Sequence, residues 1–203
     1  MPRVIAGVAG GIPLKAPPGD GTRPTTDRTK ESVFNMIQAD IPEAQVLDLF
    51  AGSGGLGIEA LSRGAAFAVF VEADRTVCDL ILQNLKKTRL SDQAEVMCRD
   101  VGLAIRQLAL EGRKFHLVFA DAPYRRDFVL KTLLLLDEND IMMHDGMAVV
   151  EHHREESPPQ SVARWLLERR REYGETVFSF YLHQSTTGTE RTMHGHIRLP
   201  GQL

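Results

Sequence analysis

The ten residues DLFAGSGGLG (48–57) join a short apolar run, VLDLF (46–50), to a helix-like segment, LGIEALSRG (56–64). The loop carries Gly52, Gly54, Gly55 and Gly57. Glycines let a backbone turn sharply and approach a ligand closely, and a helix N-terminus beside them attracts polar groups. Gly52, Gly54 and Gly57 satisfy the G-x-G-x-x-G spacing of dinucleotide sites, which alone is a weak signal. The surrounding pattern gives it weight.

From residue 46 onward, β-like runs alternate with helix-like runs. The former are VLDLF, FAVFVE (67–72), AEVMCR (94–99), FHLVFA (115–120) and MAVVEH (147–152). All are short and apolar, as strands buried on both faces are. Between them lie LGIEALSRG, RTVCDLILQNLKKTRL, VGLAIRQLALEG and RDFVLKTLLLLD. Val77, Leu80, Ile81 and Leu85 recur at helical spacing, and Gly64 and Gly112 are expected helix stops. Such alternation with short loops predicts an α/β fold with a parallel sheet covered on both faces. RRREYGETVFSFYLH then reads as two strands around Gly174, hence an antiparallel hairpin at the end of the domain. Trp165, at helical spacing with Val162 and Leu166, is expected in the core. At the start, RVIAGVAGGIPLKAP reads as a small glycine-punctuated hairpin. TRPTTDRTKESVFNMIQAD reads as a loop and a helix, with Thr26 or Asp27 as N-cap. The expected organisation is an N-terminal extension over 1–22, a main domain over 23–184 and a tail over 185–203.

With 203 residues and a net charge of -3, global charge gives no support to nucleic-acid binding, so any such surface must be a local basic patch. Two cysteines, Cys78 and Cys98, far apart in the chain, predict neither a disulfide framework nor a zinc site, and favour a cytoplasmic setting. No signal peptide and no run of membrane-spanning length are expected. The seven histidines lack ligand spacing, so no metal is expected; His152 and His153 read as polar edge residues.

Three acids mark strand ends. Asp48 lies inside the strand before the loop, Glu72 ends the next strand, and Asp100 follows the third, beside Val101. Open α/β sheets bind ligands at the carboxyl ends of their strands. Glu72 suits both ribose hydroxyls of a nucleoside, and Asp100 an adenine amino group. Either acid alone also reads as a helix cap. Asp48 would place negative charge where a pyrophosphate goes. S-adenosylmethionine has no phosphate but carries a sulfonium and an amino group, so Asp48 favours it over a nicotinamide dinucleotide.

After the fourth strand comes DAPY (121–124). It looks like the D-P-P-Y motif of amino-group methyltransferases. Together with DLFAGSGGLG, FVEAD and RPTTDRTKESVFNMI, it resembles the RsmD-like bacterial 16S rRNA (guanine-N2)-methyltransferase family, over about residues 3–183. The resemblance implies a Rossmann-like class I S-adenosylmethionine-dependent fold: a seven-stranded, mostly parallel sheet with a C-terminal antiparallel hairpin and a small N-terminal β-hairpin. It implies a catalytic group of Asp121, Ala122, Pro123 and Tyr124. The carboxylate and the Ala122 carbonyl would grip an exocyclic amine while the ring of Tyr124 stacks on the base. Alanine stands at 122 where the family usually has proline, and a backbone carbonyl serves equally there. The resemblance also implies that Arg23, Thr25 and Thr26 fold over the cofactor, with Asp48, Gly52, Gly54, Gly57, Glu72, Asp100 and Val101 completing its site. Asp27, Arg125 and Arg126 fall on the substrate side. Arg3, Lys15, Arg28 and Lys30 would extend a basic strip, and Arg169 to Arg171 read as a solvated edge. The expected partner is ribosomal RNA, within the small subunit or an assembly intermediate, met by a monomer away from membranes. The rival readings are an adenine-N6 methyltransferase, a nicotinamide-dependent oxidoreductase and an inactive assembly factor that keeps the fold.

Overall fold

The computed structural model describes residues 2–17, 27–121 and 128–184. Its elements run α1 (Asp27–Met36), β1 (Gln45–Leu49), α2 (Gly55–Ser62), β2 (Phe67–Glu72), α3 (Arg75–Thr88) and β3 (Ala94–Cys98). They continue with α4 (Val101–Leu110), β4 (Phe115–Asp121), α5 (Phe128–Glu138), β5 (Met142–His153), β6 (Ser161–Val162), β7 (Trp165–Tyr173) and β8 (Thr176–His183).

Among the described residues one sheet holds every strand, in the order β3-β2-β1-β4-β5-β8-β7-β6. β1 is central: Leu47 lies opposite Val69 of β2 on one side and Val118 of β4 on the other, both parallel. β8 runs antiparallel to β5, and β7 to β8, so the expected hairpin closes one edge. The sheet has eight strands rather than seven, because the two-residue β6 pairs with the start of β7. The chain first builds outward from β1 through β2 and β3, then crosses back to β4. The strand order therefore reverses beside β1, and the carboxyl ends of β1 and β4 are the place where open α/β sheets form their ligand crevice.

The two faces carry separate cores. Val33 and Phe34 of α1, Ile58 and Leu61 of α2, and Ile81 and Leu85 of α3 pack on one face with Val46, Phe70, Phe119 and Phe180. Ile105 and Leu108 of α4 and Leu133 and Leu136 of α5 pack on the other with Leu47, Val71, Val118 and Tyr181. Alternate residues of β1 and β4 serve opposite faces, which is why their sequences are apolar throughout.

Three local readings are corrected. Trp165 is buried as expected, but it opens β7 opposite Val162 rather than lying on a helix. Its indole Nε1 donates to the Leu133 carbonyl at 2.9 Å, and its neighbour Leu166 points outward, as strand alternation requires. β5 starts at Met142, five residues ahead of the apolar run, through an irregular stretch in which Asp145 adopts φ 57°. His152 is not an edge residue. It is buried, its Nε2 bonds to Ser179 Oγ at 2.9 Å, and burial lowers its pKa.

The N-terminal segment makes a single antiparallel bridge, Arg3 to Pro13, in place of two strands. Val4 N donates to Ile12 O and Gly11 N to Val4 O, with tight turns at Gly7 (φ 82°) and Gly11 (φ 84°) between them. Val4, Ala9 and Leu14 sit in the same core as α1 and α2. The join is a buried charge cluster. Glu59 of α2, fully buried, accepts from Ile5 N at 2.7 Å and Ala6 N at 3.0 Å, and pairs with Lys30 and Arg63. Lys30, expected on a basic strip, is therefore interior. Lost hydration lowers its pKa, opposed by the attraction of Glu59.

A Cβ at Gly7 would stand 1.7 Å from the Ser62 carbonyl oxygen, whereas one at Gly11 meets nothing within 4 Å. Gly7→Ala combines a left-handed backbone with an overpacked contact and is expected to cost about 3 kcal/mol. That corresponds to a fall in Tm of roughly 6–12 °C for a chain of this size. Gly11→Ala, strained in backbone alone, is expected to cost about 1 kcal/mol. Equal losses in paired thermal melts would contradict this packing of the N-terminal segment.

Candidate active site

The crevice is framed by the ends of β1, β2, β3 and β4. β1 stops at Leu49, and Phe50 turns out of the sheet with φ 57°. Ala51 N still donates to Val71 O of β2 at 3.0 Å, so the loop leaves alongside that strand. Gly52 and Gly54 then take φ 53° and 74°, conformations that favour glycine, and α2 begins at Gly55. Gly57 is required for another reason. A Cβ there would lie 2.4 Å from the Phe70 ring and 3.0 Å from Asp48 Oδ2.

Three glycine amides of the loop are already spoken for. Gly52 N donates to Glu72 Oε2 at 3.1 Å, Gly54 N to Ala51 O at 2.7 Å, and Gly57 N to Asp48 Oδ2 at 2.8 Å. A pyrophosphate needs such amides free and pointing at it. A phosphate-free ligand does not, so the loop fits a nucleoside with a cationic side chain better than a dinucleotide.

Asp48 is buried beneath the loop. Lost hydration, partly offset by the Gly57 amide and reinforced by repulsion from Asp121 and Glu72, pushes its carboxyl up to about 8. The fixed negative charge expected from sequence is therefore absent at pH 7. Asp48 holds the loop as a neutral acid, because the protein mass that positions it also strips its water.

Glu72 is half-buried at the end of β2. Its Oε1 accepts from Ala73 N at 2.8 Å and Asp74 N at 3.1 Å, while Oε2 holds Gly52. Asp100 caps α4, its Oδ1 accepting from Gly102 N at 2.8 Å and Leu103 N at 3.3 Å; Val101 opens that helix. The capping alternative for Asp100 is thus realised through one of its oxygens. Both acids stand where the sequence placed them, on successive strand ends around the crevice. Asp121 ends β4 opposite Glu151 of β5. Its side chain is exposed, yet lost hydration pushes it up to about 6.

Asp27 is at the first turn of α1, ion-paired to Arg3 at 2.7 Å. This pairing occupies both Arg3 and Asp27 and, with Lys30 buried, leaves Lys15 and Arg28 of the expected basic strip. Arg23, Thr25, Thr26, Ala122, Pro123, Tyr124, Arg125 and Arg126 lie outside the described residues. Past that last segment, a cavity of about 580 Å3 opens between Val129 and Leu130 of α5 and Glu155, Pro158, Pro159 and Val162.

Asn84 was not foreseen. Fully buried on α3, it donates to Ser53 O and Lys15 O, both at 2.9 Å, and accepts from Lys15 N at 2.8 Å. It joins the glycine loop to the N-terminal segment. The signal was available: an amide between Ile81 and Leu85 on an apolar helix stripe must find partners.

The strand order, with five parallel strands followed by an antiparallel edge, is that of class I S-adenosylmethionine-dependent methyltransferases. The solved structure of yhhF from Escherichia coli superposes with a TM-score of 0.78 at 38% identity, covering 90% of this chain and 97% of that one. An RNA methyltransferase from Salinibacter ruber, in complex with S-adenosyl-L-homocysteine, shares the fold at 17% identity with a TM-score of 0.63, covering 82% and 97%. The family described as Conserved hypothetical protein 95 matches residues 2–182. Ribosomal RNA small subunit methyltransferase D of Escherichia coli (strain K12) is 37% identical over 183 residues, 90% of each chain. YlbH of Bacillus subtilis (strain 168) is 42% identical over 179 residues, 88% of this chain and 97% of the relative. The chain belongs to this ribosomal RNA small subunit methyltransferase D family.

The state of Asp48 is measurable. Folded, its carboxyl stays protonated up to about 8, whereas the unfolded chain ionises near pH 4. Stability from this group is therefore lost as pH rises from about 4 to about 8, and changes no further above that. Asp48→Asn keeps an acceptor for Gly57 and removes the titration. Urea melts are expected to show the variant gaining on the wild type between pH 5 and pH 8; a constant difference would contradict a neutral buried acid.

Proposed function

We propose that this chain transfers a methyl group from S-adenosylmethionine to the exocyclic N2 amine of a guanine in 16S ribosomal RNA. The observation that carries the reading is Asp121 at the end of β4, across the strand-order reversal from a glycine loop whose Gly52 and Gly57 amides are satisfied within the protein. Kinship with ribosomal RNA small subunit methyltransferase D supports the substrate class.

Bound S-adenosylmethionine supplies an electrophilic methyl group on a sulfonium. Gly52 and Gly54 let the backbone pass close to it, Glu72 accepts from its ribose, and Asp100 and Val101 border its adenine. Arg23, Thr25 and Thr26 are proposed to cover it. The guanine amine is a poor nucleophile because its lone pair is delocalised into the ring. The Asp121 carboxylate and the Ala122 carbonyl accept its two hydrogens and turn the lone pair toward the methyl group. Pro123 stiffens the turn, and Tyr124 stacks on the base. Positioning of this kind accounts for as much as roughly 7–11 kcal/mol of a barrier. As the new bond forms, the nitrogen becomes acidic and Asp121 is placed to receive its proton.

An amine inside a helix cannot reach the crevice, so the target is a looped-out or flipped guanine. Arg125 and Arg126 are proposed to grip phosphates beside it, with Asp27 at the substrate side of α1. The cavity beyond α5 gives room for the neighbouring nucleotide. With Lys30 buried and Arg3 paired to Asp27 in the expected strip, the protein relies on RNA shaped in advance, in the small subunit or an assembly intermediate, and works as a monomer in the cytoplasm.

Asp121→Ala is expected to lower the methyl-transfer rate by at least about 100-fold. Affinity for S-adenosylhomocysteine, measured by calorimetry, is expected to stay within about threefold, a free-energy change under about 1 kcal/mol. Loss of binding along with activity would make Asp121 a cofactor residue and sink the amine-grip reading.

The carboxylate form of Asp121 is the acceptor, and its pKa is raised to about 6. In single-turnover reactions the rate is therefore expected to fall as pH drops through about 6 and to level off above it. A rate flat from pH 5 to pH 8 would contradict that role.

A further inference from the structure

Cys78 and Cys98 stand on neighbouring elements whose periodicities turn them toward each other. The buried stripe of α3 is Cys78, Ile81, Asn84, Leu85 and Thr88, the side that faces the sheet. On β3, Met97 packs with Leu47 and Val71 on one face, while Ala94 and Val96 pack with Ile81 and Leu85 on the other. Strand alternation puts Cys98 on the face of Ala94 and Val96, beneath α3. The two thiols therefore share the space between α3 and β3, and Cys98 helps to raise the Cys78 pKa, after the larger effect of burial. Cys78 Sγ also donates to the Glu72 carbonyl at 3.4 Å, and Glu72 is the register partner of Cys98. Both cysteines are free, Cys78 buried and Cys98 partly exposed.

We propose that Cys78 and Cys98 form a site of reversible oxidation, whose disulfide distorts the cofactor edge of the crevice and weakens S-adenosylmethionine binding. A peroxide is the oxidant. The partly exposed Cys98 sulfur attacks it: an S–O bond forms, the O–O bond breaks and one water leaves. Cys78 sulfur then attacks the sulfenic sulfur, the S–S bond forms, the S–O bond breaks, and the Cys78 proton departs with that oxygen as a second water. The two thiols lose two electrons and two protons, and one hydrogen peroxide becomes two waters. Burial pushes the Cys78 thiol up to about 12, so Cys78 is the slower of the two to meet peroxide, and the more exposed Cys98 is oxidised first.

The bond acts on the cofactor edge through named neighbours. An S–S bond of about 2.05 Å is far shorter than any contact between two thiols, so it draws the first turns of α3 toward the end of β3. The Glu72 carbonyl loses its S–H donor. The carboxylate of the same residue holds Gly52, Ala73 and Asp74, and Asp100 follows Cys98 by two positions. Movement at the pair thus reaches both acids assigned to the nucleoside. The effect on cofactor rests on the proposed function; the crosslink itself does not.

The full reduced chain is treated with a small excess of hydrogen peroxide, alkylated and mapped by peptide mass spectrometry. Binding of S-adenosylhomocysteine is measured before treatment, after it and after dithiothreitol. The expected result is one crosslinked peptide pair, Cys78 with Cys98, affinity weaker by about tenfold, and recovery on reduction. Cys98→Ser is expected to keep its affinity through the same treatment. Sulfinic acid at Cys98 with Cys78 still alkylated as a free thiol would overturn the site. A crosslink that left affinity unchanged would overturn its consequence. Reduced protein unable to bind S-adenosylhomocysteine at all would bring down the methyltransferase reading, and with it the cofactor half of this proposal, while the mapped crosslink would still stand or fall alone.

Discussion

A buried carboxyl accepting one amide, Asp48 from Gly57 at 2.8 Å, sets the geometry on which the crevice depends. Asp48 is fixed by β1, the strand with β2 on one side and β4 on the other. Gly57 is fixed by the Phe70 ring, against which no side chain fits. The first turn of α2 is thereby locked to the sheet. The loop between them has little freedom: its glycines bend, and its amides bond to Glu72, Ala51 and Asp48. The same bonds that make the loop rigid take the Gly52, Gly54 and Gly57 amides away from a phosphate. Rigidity and ligand preference have one cause.

Around that point the protein adds ties that cross between elements. Asn84 binds the loop to the N-terminal segment, and Glu59 binds that segment to α1 and α2 through Lys30, Arg63 and two backbone amides. Buried charges of this kind hold their place because their hydrogen-bonding capacity is met. Removing one partner from such a pair costs about 3–5 kcal/mol, since the other is left uncompensated. The beginning of α1 is thus anchored to α2 and the N-terminal segment, directly after the segment the resemblance assigns to the cofactor.

The parallel strands were legible because each is a continuous apolar run between helical stretches, and FAVFVE coincides with β2 residue for residue. β6 was not, because two residues carry no period. Trp165 was placed on the wrong kind of element: spacings of three and one to Val162 and Leu166 fit a helix, but they also fit a tight strand-to-strand turn. The acids at the strand ends were legible from their position after each run. The protonation of Asp48 was not, because burial raises its pKa to about 8 and sequence does not show that density. Lys30 looks like surface charge in a polar stretch, and only the fold reveals Glu59 beneath it. Cys78 and Cys98 look unrelated until strand alternation and helix spacing are combined with the packing of α3 on β3.

The central claim is that the crevice presents an exocyclic guanine amine of small-subunit ribosomal RNA to the methyl group of S-adenosylmethionine. The measurement that tests it most directly is methyl transfer from labelled S-adenosylmethionine to small ribosomal subunits lacking native modifications, followed by nucleoside mass spectrometry. The account predicts the label in N2-methylguanosine from 16S RNA. Label in N6-methyladenosine, or none in RNA while S-adenosylmethionine binds, would contradict it.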